Sequence, residues 1–305
     1  MTSFRVCAAI VAAALAQALA PAHAVAAENP SYAAYAQGRY LTALKLAQEE
    51  AEKGSREAYT LMGEIYSEGL GVAQDFGKAA DAYAKAADLG DANAQFSLGL
   101  MVAEGLGVKK DLHIAANLFE KAAASGNPAA QYNLAVVYLQ GKGRPADETK
   151  AAEWMQKAAS AGNPRAQYDL GTLYQFGRGV PPDKQKAAEW TGRAAEAGLA
   201  DAQVEYGVML FKGHGVPVDE ARAAKFFRLS AEQGNPVAQN RLARLYANGV
   251  AVTADPVQAA KWHLLARSAG VSDFTLDIAL SKLTPEQRAK AEDAAADWRS
   301  HRLSE

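Results

Sequence analysis

The apolar positions of this chain recur at helical spacing. Ala94, Leu98, Met101 and Val102 fall three and four residues apart, and Ala166, Leu170, Leu173 and Tyr174 do the same further on. At about 3.6 residues per turn, each set forms one apolar face of a helix. Each stripe stops at a Gly-x-Gly pair, such as Gly105-Leu106-Gly107 or Gly177-Arg178-Gly179. Glycine takes the left-handed backbone that ends a helix at no steric cost. A second helix is predicted to start at the aspartate that follows. An Ala-Ala pair and a large residue come next (Trp154, Trp190, Phe226, Trp262), before another glycine closes the helix. No period-two alternation appears, so no sheet is predicted.

The two-helix pattern repeats every 36 residues without slipping. Glycine stands at Gly54, Gly90, Gly126, Gly162, Gly198, Gly234 and Gly270, and alanine at Ala58, Ala94, Ala130, Ala166, Ala202 and Ala238. A third column holds Asp75, Asp111, Asp147, Asp183, Asp219 and Asp255. A fixed period of this size marks a repeat architecture, in which each unit buries its apolar face only by stacking on the next. The aspartates read as N-caps, because a carboxylate there accepts the free amide hydrogens of the first turn. Gly63, Gly99, Gly171 and Gly207 lie inside first helices, where glycine costs about 1 kcal/mol against alanine. Their compensation is the close approach of a neighbouring helix.

The run Ala-x-Tyr-x-Leu-Gly-x-x-Tyr, then Gly-x-Gly-Val, Asp, Ala-Ala and Gly, resembles the Sel-one-like repeat, a relative of the tetratricopeptide repeat. The resemblance spans residues 54–269, as six units: 54–89, 90–125, 126–161, 162–197, 198–233 and 234–269. It implies an all-α, right-handed α/α superhelical solenoid that scaffolds protein–protein contacts, with no enzymatic activity. Arg144 replaces the valine after Gly-x-Gly, Ala251 the second glycine, and Arg267 an alanine.

Residues 1–24 read as a secretory signal peptide: Arg5, an apolar run over 6–20 broken only by Gln17, and the small-x-small ending Ala22-His23-Ala24. An uncleaved anchor is the rival reading, but the run is short of the ~20 residues a spanning helix needs. No span is predicted after cleavage, and the mature chain is predicted to be periplasmic or secreted. Residues 25–53 are predicted to form an N-terminal cap of one or two helices. Residues 270–305 are predicted to form a C-terminal cap, whose last helix opens on the capping box Thr284-Pro285-Glu286-Gln287.

Cleavage removes Cys7, the only cysteine. The mature chain then has no disulfide, thiol nucleophile or thiolate metal site. Cysteine-rich relatives of the repeat family, linked to β-lactam binding, staple each unit with a disulfide; this chain lacks every such cysteine. The net charge of −2 becomes −3 with the loss of Arg5, and both signs are interspersed. Without a basic stripe, nucleic acid is not a predicted partner. His113, His214, His263 and His301 have no ligand at metal spacing, so no metal, cofactor or catalytic residue is assigned. The Gly-x-Gly pairs follow a helix and lack the third glycine of a phosphate loop.

The informative side chains are those the repeat leaves free. Phe96 and Leu100, then Tyr132, Val136 and Leu139, then Tyr168, Thr172 and Gln175, then Val204, Val208 and Phe211 share one side of the first helices. At about 100° per residue they fall within a wedge of about 60°. By resemblance to tetratricopeptide-like superhelices, this side lines a concave groove. The groove would be apolar in its middle and polar at its ends, with Thr60, Glu64 and Ser67 in unit one and Asn240, Arg244 and Ala247 in unit six. An exposed apolar strip marks a binding surface; the competing reading is that adjacent helices bury these side chains.

The function this supports is a non-enzymatic periplasmic adaptor that holds a segment of an envelope or sensor protein. The alternatives are a peptidoglycan- or β-lactam-binding or hydrolysing envelope protein, and a structural protein that self-associates.

Overall fold

The computed structural model describes residues 29–304, so the expected signal peptide lies outside the described residues. Among the described residues the chain is helical throughout and has no strand. It divides into two compact units, residues 1–163 and 164–305, with the boundary between the third and fourth repeats.

The N-terminal unit opens with the helix pair α1 (Pro30–Ala36) and α2 (Tyr40–Ala51). Three repeats follow: α3 (Arg56–Glu68) with α4 (Phe76–Asp88), α5 (Ala92–Glu104) with α6 (Leu112–Ala124), and α7 (Pro128–Gln140) with α8 (Glu148–Ser160). Each helix in this unit packs on the next in sequence.

The C-terminal unit repeats the plan with α9 (Pro164–Phe176), α10 (Lys184–Glu196), α11 (Ala200–Lys212), α12 (Glu220–Glu232), α13 (Pro236–Asn248) and α14 (Pro256–Ser268). Its cap is α15 (Phe274–Ser281) and α16 (Pro285–Ser304), both packed on α14.

Local chemistry accounts for these boundaries. The six column aspartates cap second helices: Asp111 accepts from the His113 and Ile114 amides at 2.9 and 3.0 Å, and Asp147 from the Lys150 amide at 3.0 Å. The aspartate amides return to the preceding first helix, as from Asp111 to the Val102 carbonyl at 3.0 Å and from Asp219 to that of Leu210 at 3.0 Å. The hairpin is thus closed from both sides of one residue. At the C-terminus, the Gln287 amide donates to the Thr284 hydroxyl oxygen at 3.2 Å and the Thr284 amide to Gln287 Oε1 at 3.1 Å, a complete capping box.

Three of the four glycines inside first helices, Gly63, Gly99 and Gly207, admit an aromatic ring from the second helix of the same repeat, whereas Gly171 faces Thr191 and the Ala187 carbonyl. A Cβ on Gly99 would lie 2.7 Å from Phe119 Cε1, and one on Gly63 would lie 2.6 Å from Tyr83 Cε1. Gly207 makes the same room for Phe227 in the C-terminal unit. The remaining inter-helix space is closed by alanine: Ala115, Ala116, Ala122 and Ala123 on α6 are all buried, as are Ala187, Ala188, Ala194 and Ala195 on α10. Alanine combines the highest helix propensity with a small side chain that lets helices pack closely.

A column that the apolar pattern does not announce ties consecutive repeats together. The buried Gln95 and Gln131 donate Nε2 to the Ala87 and Ala123 carbonyls at 3.2 and 3.3 Å, and Gln203 and Gln239 to Ala195 and Ala231 at 3.2 and 3.3 Å. Each accepting carbonyl lies in the last turn of the preceding second helix, where intrahelical donors have run out.

Among the described residues, Ala251 is the one non-glycine with positive φ, at +57°. It occupies the column where Gly215 sits at +74°. An alanine in the left-handed region costs about 1–2 kcal/mol. Ala251→Gly is therefore expected to stabilise the C-terminal unit by about 1 kcal/mol, after the added flexibility of the unfolded chain is counted. A urea titration would show this as a higher midpoint with unchanged slope; a lower midpoint would refute it.

Candidate partner-binding face

The predicted face divides between the two units. In the N-terminal unit, Phe96 and Leu100 are 1% and 7% exposed and belong to the core, which corrects their assignment to a groove lining. Phe119 enters against the bare Cα of Gly99, and its ring meets that of Phe96 at 5.9 Å between centroids. Helical phase put Phe96 on the far side of α5, and the incoming ring covers it there. Tyr132, Val136 and Leu139 on α7 are half-buried.

In the C-terminal unit, Tyr168 and Thr172 on α9 and Val204, Val208 and Phe211 on α11 are half-buried, and Gln175 is exposed. Tyr168, Val208 and Phe211 pack against the core between α10 and α13, while Val204 packs against the core shared by α12 to α16. Thr172 donates its hydroxyl to the Tyr168 carbonyl at 3.2 Å. Burial, then the charges of Glu205, Asp201 and Asp169, push the Tyr168 phenol above its ordinary range. The arrangement is an edge of aromatic and aliphatic side chains rising from a packed base.

The polar ends of the same columns are used differently. In repeat six, Arg244 Nε donates to Asp273 Oδ2 at 2.6 Å and Asn240 Nδ2 to the same oxygen at 3.0 Å. Asp273 is the N-cap of α15, so the polar end of repeat six is where the C-terminal cap docks. Burial of Asp273 opposes ionisation, but the Arg244 and Asn240 bonds and the Leu276 amide outweigh it and hold the carboxyl at about 2. His263, 1% exposed, adds Nε2 to Asp277 Oδ1 at 2.8 Å, which joins α14 to α15.

In repeat one, the polar end is not closed in this way. Thr60 and Ser67 turn back on their own helix, to the Arg56 and Glu64 carbonyls at 3.2 and 3.0 Å. Glu64 keeps its Oε2 buried with no partner.

No group of three or more His, Cys, Asp or Glu among the described residues is placed to hold a metal ion. No helix among them is long and apolar enough to cross a membrane. A cleft of about 100 Å³ under α15 is lined by aliphatic residues such as Ala259, Ala260, Leu276 and Leu280, with Tyr246 at one side.

A family model described as the Sel1 repeat matches six consecutive windows, 56–91, 92–127, 128–163, 164–199, 200–235 and 236–271. These keep the 36-residue step and begin two residues after the glycine-defined units. A solved Sel1 repeat protein from Oxalobacter formigenes is 29% identical, with a TM-score of 0.68, over 80% of this chain and 97% of that one. The structure of c5321, a protective antigen of uropathogenic Escherichia coli strains displaying an SLR fold, is 28% identical, with a TM-score of 0.55, over 91% of this chain and 70% of that one. No curated protein matches the chain.

Proposed function

The chain belongs to the Sel1 repeat family, whose members are generally protein-interaction scaffolds, and we propose that it is a non-enzymatic periplasmic adaptor for a segment of an envelope or sensor protein. The periplasmic part of the reading rests on the signal-peptide pattern of residues 1–24. The binding part rests on one observation: in each compact unit, first helices present half-buried aromatic and aliphatic side chains on one side. These are Tyr132, Val136 and Leu139 in the N-terminal unit, and Tyr168, Val204, Val208 and Phe211 in the C-terminal unit. A side chain held by its base and open at its edge suits an anchor, because little conformational entropy is lost when a partner covers it.

Tyr132→Ala and Tyr168→Ala are each expected to weaken partner capture from a periplasmic extract by about 2 kcal/mol, roughly thirtyfold. Circular dichroism would establish that both variants keep their helix content. Unchanged recovery of the same partner by both variants would reject the inner face as the contact surface. The reading also expects no turnover of a chromogenic β-lactam and no thermal shift with muropeptides.

A further inference from the structure

The position four residues after the start of the inner-face column carries Leu100, Val136, Thr172 and Val208 in the middle repeats, but Glu64 and Arg244 at the two ends. Arg244 is answered by Asp273 from the C-terminal cap at 2.6 Å. Glu64 receives no such answer from the N-terminal cap. Its Oε2 is buried without a hydrogen-bond partner, while the residue as a whole is half-buried.

What surrounds Glu64 is aromatic and negative. From α1 come Tyr32 and Tyr35, and both phenols feel Glu64 as their foremost charged neighbour. From α4 comes Tyr83, 0% exposed, whose hydroxyl also lacks a hydrogen-bond partner and stands beside the Ser67 and Ser97 side chains. The charged groups that bear on Glu64 are Glu68, one turn along α3, and Asp91, which caps α5. No cation is among them. Burial first, then Asp91 and Glu68, push the Glu64 carboxyl up to about 7. An unpaired buried carboxylate is costly unless something pairs with it.

We propose that the Glu64 cage of the N-terminal unit, bounded by Tyr32, Tyr35 and Tyr83, binds an alkylammonium group. The group belongs either to a free diamine or to a lysine side chain of a bound segment. Tyrosine faces attract cations through the ring quadrupole, and the attraction grows where water is excluded. An ammonium is a compact point charge on a slim methylene stem, and it reaches a half-buried carboxylate with less displaced volume than the planar guanidinium fork. The Tyr83 hydroxyl can accept from the ammonium while Glu64 supplies the opposite charge. This site is argued independently of the inner-face anchors and involves none of them.

The test is calorimetric titration of the purified full chain with cadaverine and, separately, with a capped lysine (Nα-acetyl-lysine methylamide), at pH 8 and low salt. Saturable one-to-one binding of at least one probe is expected. Glu64→Gln should weaken it at least tenfold, and lowering the pH to 5.5, where Glu64 takes up a proton, should do the same. Tyr83→Phe, which removes one hydroxyl and keeps the ring against Gly63, should weaken it severalfold. Tighter binding of cadaverine assigns the site to a free diamine; tighter binding of the capped lysine assigns it to a partner's side chain. Absence of binding by both probes would overturn the proposal. So would equal affinity in Glu64→Gln, which would place the cation on the neighbouring carboxylates Glu68 and Asp91. Loss of binding in Tyr132→Ala or Tyr168→Ala with retention in Glu64→Gln would also overturn it, by moving the contact to the inner-face anchors.

Discussion

Gly215→Ala is expected to destabilise the C-terminal unit by about 4 kcal/mol or more, at the far end of what single substitutions do. Two costs add. Gly215 has φ +74°, where an L side chain is strained by about 1–2 kcal/mol. A Cβ there would also collide with the Lys184 carbonyl oxygen and carbon, and these belong to the first turn of α10, which cannot retreat without breaking its own packing. Gly198→Ala is the matched control: its φ is +91°, but a Cβ would meet nothing within 4 Å. That variant should lose only the backbone cost of about 1–2 kcal/mol. Urea unfolding followed by circular dichroism separates them. Equal losses in the two variants would mean that the turn relaxes and that contact with α10 does not fix this loop. In a protein whose repeats hold one another through neighbours, the loss should also lower amide protection in α10 and α11 before it reaches α16.

Glu64→Gln is expected to make the N-terminal unit more stable at pH 8, by about 3 kcal/mol, with almost no effect at pH 4.5. The native Glu64 carboxyl titrates at about 7, and the unfolded one at the ordinary 4.5. Between these values the native state holds a proton that the unfolded state has released, so wild-type stability falls as pH rises from 4.5 to 7 and stays lowered above. Every titratable neighbour of Glu64 (Glu68, Asp91, Tyr32, Tyr35 and Tyr83) is an acid, so none offsets that loss. Glutamine keeps the shape and carries no charge. The check is the difference in melting temperature between variant and wild type at pH 4.5, 6 and 8, in buffer free of amines. A difference that does not widen with pH would show that Glu64 ionises freely and that its surroundings are wet.

Much of the architecture was readable before any coordinates. Helix starts and stops are decided within a few residues: Asp147 reaches the Lys150 amide and Thr284 exchanges bonds with Gln287, whatever lies beyond. Gly99 and Gly207, tolerated inside helices, announced the close approach of a neighbouring helix, although not that the approaching group would be an aromatic ring of the same repeat. The candidate face was less legible. Phe96 and Tyr132 hold equivalent positions, yet the first is sealed in the core and the second is half-buried. What stands across the hairpin differs: Phe119 meets Phe96 over Gly99, whereas Ala135 and Met155 stand at the corresponding places in the next repeat.

The charged ends of the column were visible as residues but not as chemistry. Arg244 and Glu64 look alike in the pattern, as polar substitutes for an aliphatic. One is paired with Asp273, 29 residues away, and the other faces tyrosines from a helix that precedes its own repeat. The glutamine column was also present in the text of the chain, as Ala-Gln pairs from Ala94-Gln95 to Ala238-Gln239, but an amide among apolar residues has no periodic signature of its own.

By itself the sequence determined the 36-residue unit, its two helices, their caps and the all-helical class, because short-range hydrogen bonding and backbone sterics act over a handful of neighbouring residues. Only the tertiary structure decided which inner-face side chains stay accessible, which polar end is neutralised and which buried oxygen is left alone. Those outcomes depend on what a second helix brings to the same point in space, and burial and Coulomb energy are set by that meeting.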